Sequence, residues 1–222
     1  MQCPKKCGVN RTQKQKGFCQ ETDDLKIAFA GLHFGEEPLV TVFGGSGTIF
    51  ITGCTLRCAF CQNYQISQNG YGSNVDSEEF TKMCLDLQNA GAENINIVTG
   101  SHHIPKLAEF IRAAKDAGVT IPFCWNSSAY ETVESLELLK DLVTIWLPDL
   151  KTLSSSLSKD LFLAPDYPQV AEKAIKWMIQ NNPLKIKTVE SQKNAKSIEW
   201  AQDGEPREKM EQGVIIRHLF LP

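Results

Sequence analysis

Thr48-Ile49-Phe50-Ile51-Thr52-Gly53-Cys54-Thr55-Leu56-Arg57-Cys58-Ala59-Phe60-Cys61 is the most informative stretch of this 222-residue chain. It opens as an apolar strand and breaks at Gly53 into a loop holding three cysteines. Three thiolates so close in sequence can wrap one soft metal centre. Structural zinc takes four ligands and a cubane iron–sulfur cluster has four irons, so a local count of three leaves one position open for chemistry. The alternative is a zinc knuckle completed by a distant His or Cys. Zinc motifs more often pair two short Cys-x2–4-Cys steps than follow a strand with one three-cysteine loop.

Outward from this loop, short β-rich runs alternate with amphipathic helices. Ser77-Glu78-Glu79 starts a helix with Phe80, Met83, Cys84 and Leu87 on one side, closed by Gly91. Asn94–Val98 is the second strand. Pro105 opens a helix with Leu107, Ala108, Ile111 and Ala114 at helical spacing, stopped by Gly118. Val119–Cys124 is strand three, Thr132–Lys140 a short helix, and Leu142–Leu147 strand four. A helix through Val170, Ala174, Ile175, Trp177 and Met178 follows, and Val214–Leu221 is the last strand. Repeated strand–helix pairs imply parallel units with right-handed crossovers, whose working residues lie at the C-terminal strand ends. The expected architecture is α/β, a partial (β/α) TIM-like barrel of five strands. Residues 1–43 read as a Cys-containing N-terminal extension and 44–222 as the core. Within the core, the polar stretch 182–213 reads as a flexible insertion without function.

Composition excludes several classes. A hydrophobic content of 42% and a charged content of 22% are those of an ordinary globular domain with ample core. A net charge of −3 gives no reason to expect nucleic acid or a membrane surface. No apolar run approaches the roughly 20 residues of a membrane span, and the polar start Met1-Gln2-Cys3-Pro4-Lys5-Lys6 is no signal peptide. The eight cysteines therefore read as metal or redox ligands of a cytoplasmic protein.

The Cys-x3-Cys-x2-Cys run, with Phe60 before its last cysteine, resembles the cluster loop of the radical S-adenosylmethionine (SAM) superfamily. The resemblance implies that Cys54, Cys58 and Cys61 hold a [4Fe-4S] cluster whose fourth iron is chelated by SAM. The reduced cluster then cleaves SAM to methionine and a 5′-deoxyadenosyl radical that abstracts a hydrogen atom. The resemblance also implies that Phe60 lies beside the cluster near the adenine; core packing is the alternative. Trp125-Asn126-Ser127-Ser128-Ala129 is similar to a segment of the glycyl-radical-enzyme activases, which puts Asn126 at the SAM amino end. Pro148-Asp149-Leu150-Lys151 and Ile216-Arg217-His218-Leu219 resemble two further pocket segments. There Asp149 and Lys151 hold the ends of SAM or order the pocket as a charge pair, and Arg217 faces its carboxylate or ribose, which suits a forked guanidinium. Strand two ends Val98-Thr99-Gly100-Ser101-His102-His103. Gly100 matches one residue of the superfamily's Gly-Gly-Glu, while its acid is missing. His102 and His103 read as a helix cap or polar rim, with metal ligation as the alternative. Gly44-Gly45-Ser46-Gly47 precedes a strand and is no phosphate loop, and Cys84 and Cys124 read as buried small hydrophobes.

Further stretches, Cys3 to Arg11, Gly17-Phe18-Cys19, His33 to Pro38, Cys61 to Ser67 and Ala164-Pro165-Asp166-Tyr167, are similar to a pyruvate formate-lyase activating enzyme-like subgroup. That likeness implies a radical acting on a protein glycine or a small molecule, a glycyl radical enzyme or other substrate protein as partner, and a flavodoxin- or ferredoxin-type electron donor. It also implies a second metal at Cys3, Cys7 and Cys19, with His33 or water as fourth ligand. The superfamily resemblance implies six barrel strands, so the five counted here, a barrel lacking its last strand, and the cysteine missing upstream of Cys3 read as a truncated or divergent member. The rival reading is a non-catalytic zinc or iron–sulfur binding relative.

Overall fold

The computed structural model describes residues 3–190 and 205–218. The strands are β1 (Lys26–His33), β2 (Ser46–Ile51), β3 (Ser73–Asn74), β4 (Ile95–Val98), β5 (Phe123–Ser127), β6 (Ile145–Pro148), β7 (Lys185–Val189) and β8 (Arg207–Val214). The helices are α1 (Tyr64–Ser67), α2 (Ser77–Asn89), α3 (Ile104–Asp116), α4 (Val133–Leu136), α5 (Ser155–Phe162) and α6 (Tyr167–Asn181). One sheet runs β3-β1-β2-β4-β5-β6-β8-β7. Its middle, β2-β4-β5-β6-β8, is parallel, whereas β1 and β3 on one side and β7 on the other run antiparallel. The sheet is open, a partial barrel with five parallel strands, as expected. No helix among the described residues is long and apolar enough to cross a membrane.

The crossovers form where capping and periodicity agree. Asp76 caps α2 by accepting from the Glu78 and Glu79 amides, and the Glu79 side chain reciprocates to the Asp76 amide. Phe80, Cys84 and Leu87 of α2 are buried, as are Ile104, Leu107, Ala108, Ile111 and Ala114 of α3. They cover one sheet face with Ile49, Ile51, Ile95, Ile97, Phe123, Trp125 and Trp146. The other face is the barrel interior, where Cys124, Ile145 and Leu147 pack with Val40 and Met210. Cys84 and Cys124 are both fully buried. Helix α6 serves two cores: Ala174, Trp177 and Met178 face the main one, and Tyr167, Ala171 and Ile175 a second at the top of the barrel.

Several expectations change, among them strand four, which is found at Ile145–Pro148 rather than Leu142–Leu147. Strand β5 begins at Phe123 rather than Val119, because pairing with β4 and β6 sets its register and Pro122 still lies in the loop. Strand β8 spans Arg207–Val214, ahead of the expected Val214–Leu221, although the chain stays beside β6 as far as an Asp149–Arg217 bridge. Residues 185–189 and 207–213, read as flexible insertion, form the β7–β8 hairpin together with Val214. That edge hairpin buries only Met210 and Gly213, so it leaves no apolar periodicity to read. Residues 191–204 and 219–222 lie outside the described residues. The stretch 1–43 also contributes to the sheet, since β1 pairs with β2.

A carboxylate ties the base of the barrel. Glu93 Oε1 accepts from the successive amides of Val42, Phe43 and Gly44, and Oε2 pairs with Lys209 of β8 at 2.7 Å. Burial alone would raise its pKa, but Lys209 and the amides outweigh it and hold the group below its ordinary 4.5. The unfolded chain thus binds the proton more readily. The stability Glu93 contributes is present above pH 4.5 and lost as pH falls through the lower folded value. Glu93→Gln is expected to cost about 2–3 kcal/mol at pH 7. In urea melts the gap to the unaltered chain should shrink below pH 4.5, and a gap constant with pH would refute this account.

Candidate metal centre

The three-cysteine loop leaves the C-terminal end of β2 and is fastened on two sides. Gly53 turns it with φ +84°, and a Cβ there would lie 2.5 Å from Glu21 Cγ and 2.9 Å from the Cys19 carbonyl oxygen, so only glycine fits. The Gly53 amide donates to Ile66 O of α1, while the Arg57 and Ala59 amides donate to Phe162 O and Leu161 O at the end of α5. Leu56 is the loop's anchor, fully buried with Ala129, Tyr130, Phe162, Ala164 and Tyr167. Cys54, Cys58 and Phe60 pack against that same cluster. The Phe60 ring meets Phe162 edge-on, with centroids 5.7 Å apart. Cys61 Sγ lies 3.2 Å from the Ser67 hydroxyl.

Burial raises the Cys54 thiol to about 12 and Cys58 to about 11; Cys58 and Cys61 add to the rise at Cys54, and Lys151 opposes it at both. Buried sulfurs of this kind become thiolates when a cation neutralises them, which is the donor chemistry of a metal or iron–sulfur centre. Among the described residues no three His, Cys, Asp or Glu side chains stand close enough to clasp a single ion. A cubane places each thiolate on a different iron, so its ligands stand farther apart than those of one tetrahedral zinc.

A polar wall stands at the ends of β5, β6 and β8. Arg217 donates to Asn126 Oδ1 at 2.5 Å and grips Asp149 Oδ1 through Nε and Nη2 at 2.9 and 2.8 Å. Lys151 Nζ pairs with Asp149 Oδ2 at 3.0 Å. Tyr167 braces this turn by donating to Asp149 O and accepting from the Lys151 amide. Asn126, Asp149, Lys151 and Arg217, which are far apart in sequence, are thus one hydrogen-bonded set. Gly100 has a packing role of its own: a Cβ would lie 2.4 Å from Trp125 Cη2 and 2.8 Å from Leu107 Cδ1. Gly100→Ala is expected to destabilise by about 1–3 kcal/mol through overpacking. Its thermal melting should show this; an unchanged midpoint would mean that Trp125 moves aside freely.

Sequence reasoning missed several members. Glu36, from the β1–β2 connection, lies in the barrel interior 3.5 Å from Arg217 and accepts from Asn96 Nδ2. Burial raises its pKa despite that arginine. Glu131, beyond β5, is buried against Ser101 and Trp125 Nε1, and Oε2 has no partner among the described residues. An acid therefore does stand at the end of β4, brought from the neighbouring loop. His102 and His103 correct the cap-or-rim expectation. Both are buried at the start of α3 and neither side chain caps it. Burial keeps them neutral, with His102 lowered to about 4.

Cys3, Cys7 and Cys19 also come together, lining a cavity of about 290 Å³. His33 does not line it and stands instead near Glu36.

The comparisons agree with this geometry. The family model described as the radical SAM superfamily matches residues 48–187. An uncharacterised protein of Methanocaldococcus jannaschii is 29% identical over 227 residues, which cover 99% of this chain and 56% of that protein. The chain thus spans about half the length of the curated relative it matches. With the match extending from β2 and the cysteine loop through β7, the chain belongs to the radical SAM superfamily.

Proposed function

We propose that the protein is a radical SAM enzyme in which Cys54, Cys58 and Cys61 hold a [4Fe-4S] cluster and the polar wall binds SAM. The observation that carries this reading is the placement of the cysteine loop at the end of β2, with Lys151 close enough to act on both Cys54 and Cys58. When bound, the reduced cluster supplies the electron that cleaves SAM to methionine and a 5′-deoxyadenosyl radical. The chain's own residues position the substrate of that step. Arg217 and Lys151 offer cationic donors to a carboxylate, with Asp149 holding both in place. Asn126 and Asp149 offer acceptors to an ammonium, and Glu131 supplies the acid missing from Gly100-Ser101. Phe60 and the second core exclude water from one side of the loop.

The finer reading makes the radical's target a glycine of a partner protein, admitted through the open side of the barrel, with a flavodoxin- or ferredoxin-type protein as electron donor in the cytoplasm. Its support is the sequence likeness to the activating enzymes together with a sheet that does not close. The test is anaerobic reconstitution and reduction, followed by EPR with and without SAM and assay of 5′-deoxyadenosine. A reduced cubane signal altered by SAM, with 5′-deoxyadenosine formed, is expected. Zinc in place of iron, or a cluster blind to SAM, would overturn the enzyme reading in favour of a metal-binding relative.

A further inference from the structure

We infer that the cavity formed by the N-terminal segment is a second metal site, in which Cys3, Cys7, Cys19 and the Nδ1 atom of His102 bind one zinc-type divalent ion. This inference stands apart from the proposed cluster and needs none of its residues. The cavity, about 290 Å³, is lined by all three cysteines and by His102. They come from places distant in sequence, because residues 3–19 fold back over the cysteine loop and the start of α3. Two basic side chains anchor that fold: Arg11 donates to the His102 and Thr22 carbonyls, and Lys5 donates to Leu163 O while lying 4.0 Å above the Phe18 ring.

The histidine carries the argument. His102 is 1% exposed, and its Nε2 is 2.7 Å from the carbonyl oxygen of Thr52. A carbonyl only accepts, so Nε2 bears the hydrogen and Nδ1 is left as a bare lone pair. That Nδ1 is buried without a partner among the described residues. Imidazoles that bind metals are held in this way, with one nitrogen donating to a backbone carbonyl and the other facing the ion. Three thiolates and one imidazole form a Cys3His set suited to tetrahedral zinc. The complex would carry one net negative charge, and Arg11 and Lys5 line the same cavity to offset it. The four groups do not yet close on one point, so the ion draws an open donor set together, as metal binding coupled to local folding does.

The test uses the full chain with Cys54, Cys58 and Cys61 all replaced by serine, so that retained metal belongs elsewhere. Elemental analysis after dialysis is expected to find about one zinc per chain. Adding Cys7→Ser should lower it about tenfold or more, and adding His102→Gln should weaken zinc binding about 10-fold to 100-fold. Cobalt in place of zinc should give the strong visible absorption of a tetrahedral thiolate site. Zinc-free protein, or zinc retained when Cys7 is lost, would overturn the inference. Should the serine variant fail to fold, alkylation of the unaltered, metal-stripped chain decides. Added zinc should slow the modification of Cys3, Cys7 and Cys19 about tenfold, and equal rates with and without zinc would overturn the site.

Discussion

A Cys58→Ser chain, reconstituted anaerobically with iron and sulfide, is expected to form 5′-deoxyadenosine at least about a thousandfold more slowly than the unaltered chain, a barrier increase of roughly 4 kcal/mol. The reason is coordinative. A serine hydroxyl is a poor match for a soft iron–sulfur centre, and with three local ligands there is no spare thiol to take over. Cys61 lies 3.2 Å from the Ser67 hydroxyl and is already one of the three. The serine chain should keep its fold, because Leu56 and the backbone bonds to α5 anchor the loop independently of the sulfur. Circular dichroism and the product assay together check both halves. A folded Cys58→Ser chain that still cleaves SAM would remove Cys58 from the centre.

Arg217→Ala is expected to weaken SAM binding about 10-fold to 100-fold and to destabilise the chain by about 2 kcal/mol. Arg217 satisfies Asn126, Asp149 and Glu36 together, and its loss leaves the buried Glu36 carboxylate without its cation. The guanidinium is about a quarter exposed, which keeps the cost below that of a fully buried pair. Arg217→Lys should restore charge but not the fork on Asp149, recovering stability better than affinity. Equilibrium dialysis with SAM and urea melts read the two effects separately. Unchanged affinity in a folded Arg217→Ala chain would place SAM away from this wall.

How legible these features were depends on which interaction made them. Strands β2 and β4 and helices α2, α3 and α6 follow from local patterns, because each has a cap or a buried face that repeats with its period. The cysteine loop is a local motif for the same reason. The β7–β8 hairpin is not local, since only Met210 and Gly213 are buried and neighbouring strands hold the rest. Asn126, Asp149, Lys151 and Arg217 were legible one at a time through likeness to a family, but their joining into one network is tertiary. Glu36 lay in a stretch of family likeness without being singled out and Glu131 gave no signal, because a single acid in a loop looks the same whether it faces water or a barrel interior. His102 and His103 read as a helix cap or polar rim for the converse reason: nothing local to them says that Arg11 and residues 3–19 will cover them.

The arginine of the wall reaches Asp149 across 68 residues of chain. Strand β8 meets β6 at two paired positions, and the chain beyond it keeps the contact through the Ile215 and Arg217 amides, which donate to Trp146 O and Pro148 O. Closing contacts over that distance is slow, and an edge hairpin that buries only Met210 and Gly213 opens more easily than the central strands. Amide hydrogen exchange should therefore find β7 and β8 trading protons well before β4 and β5 do. A ligand seated against Arg217 adds its binding free energy to the closed form alone, so occupancy of the pocket and docking of the hairpin become one equilibrium.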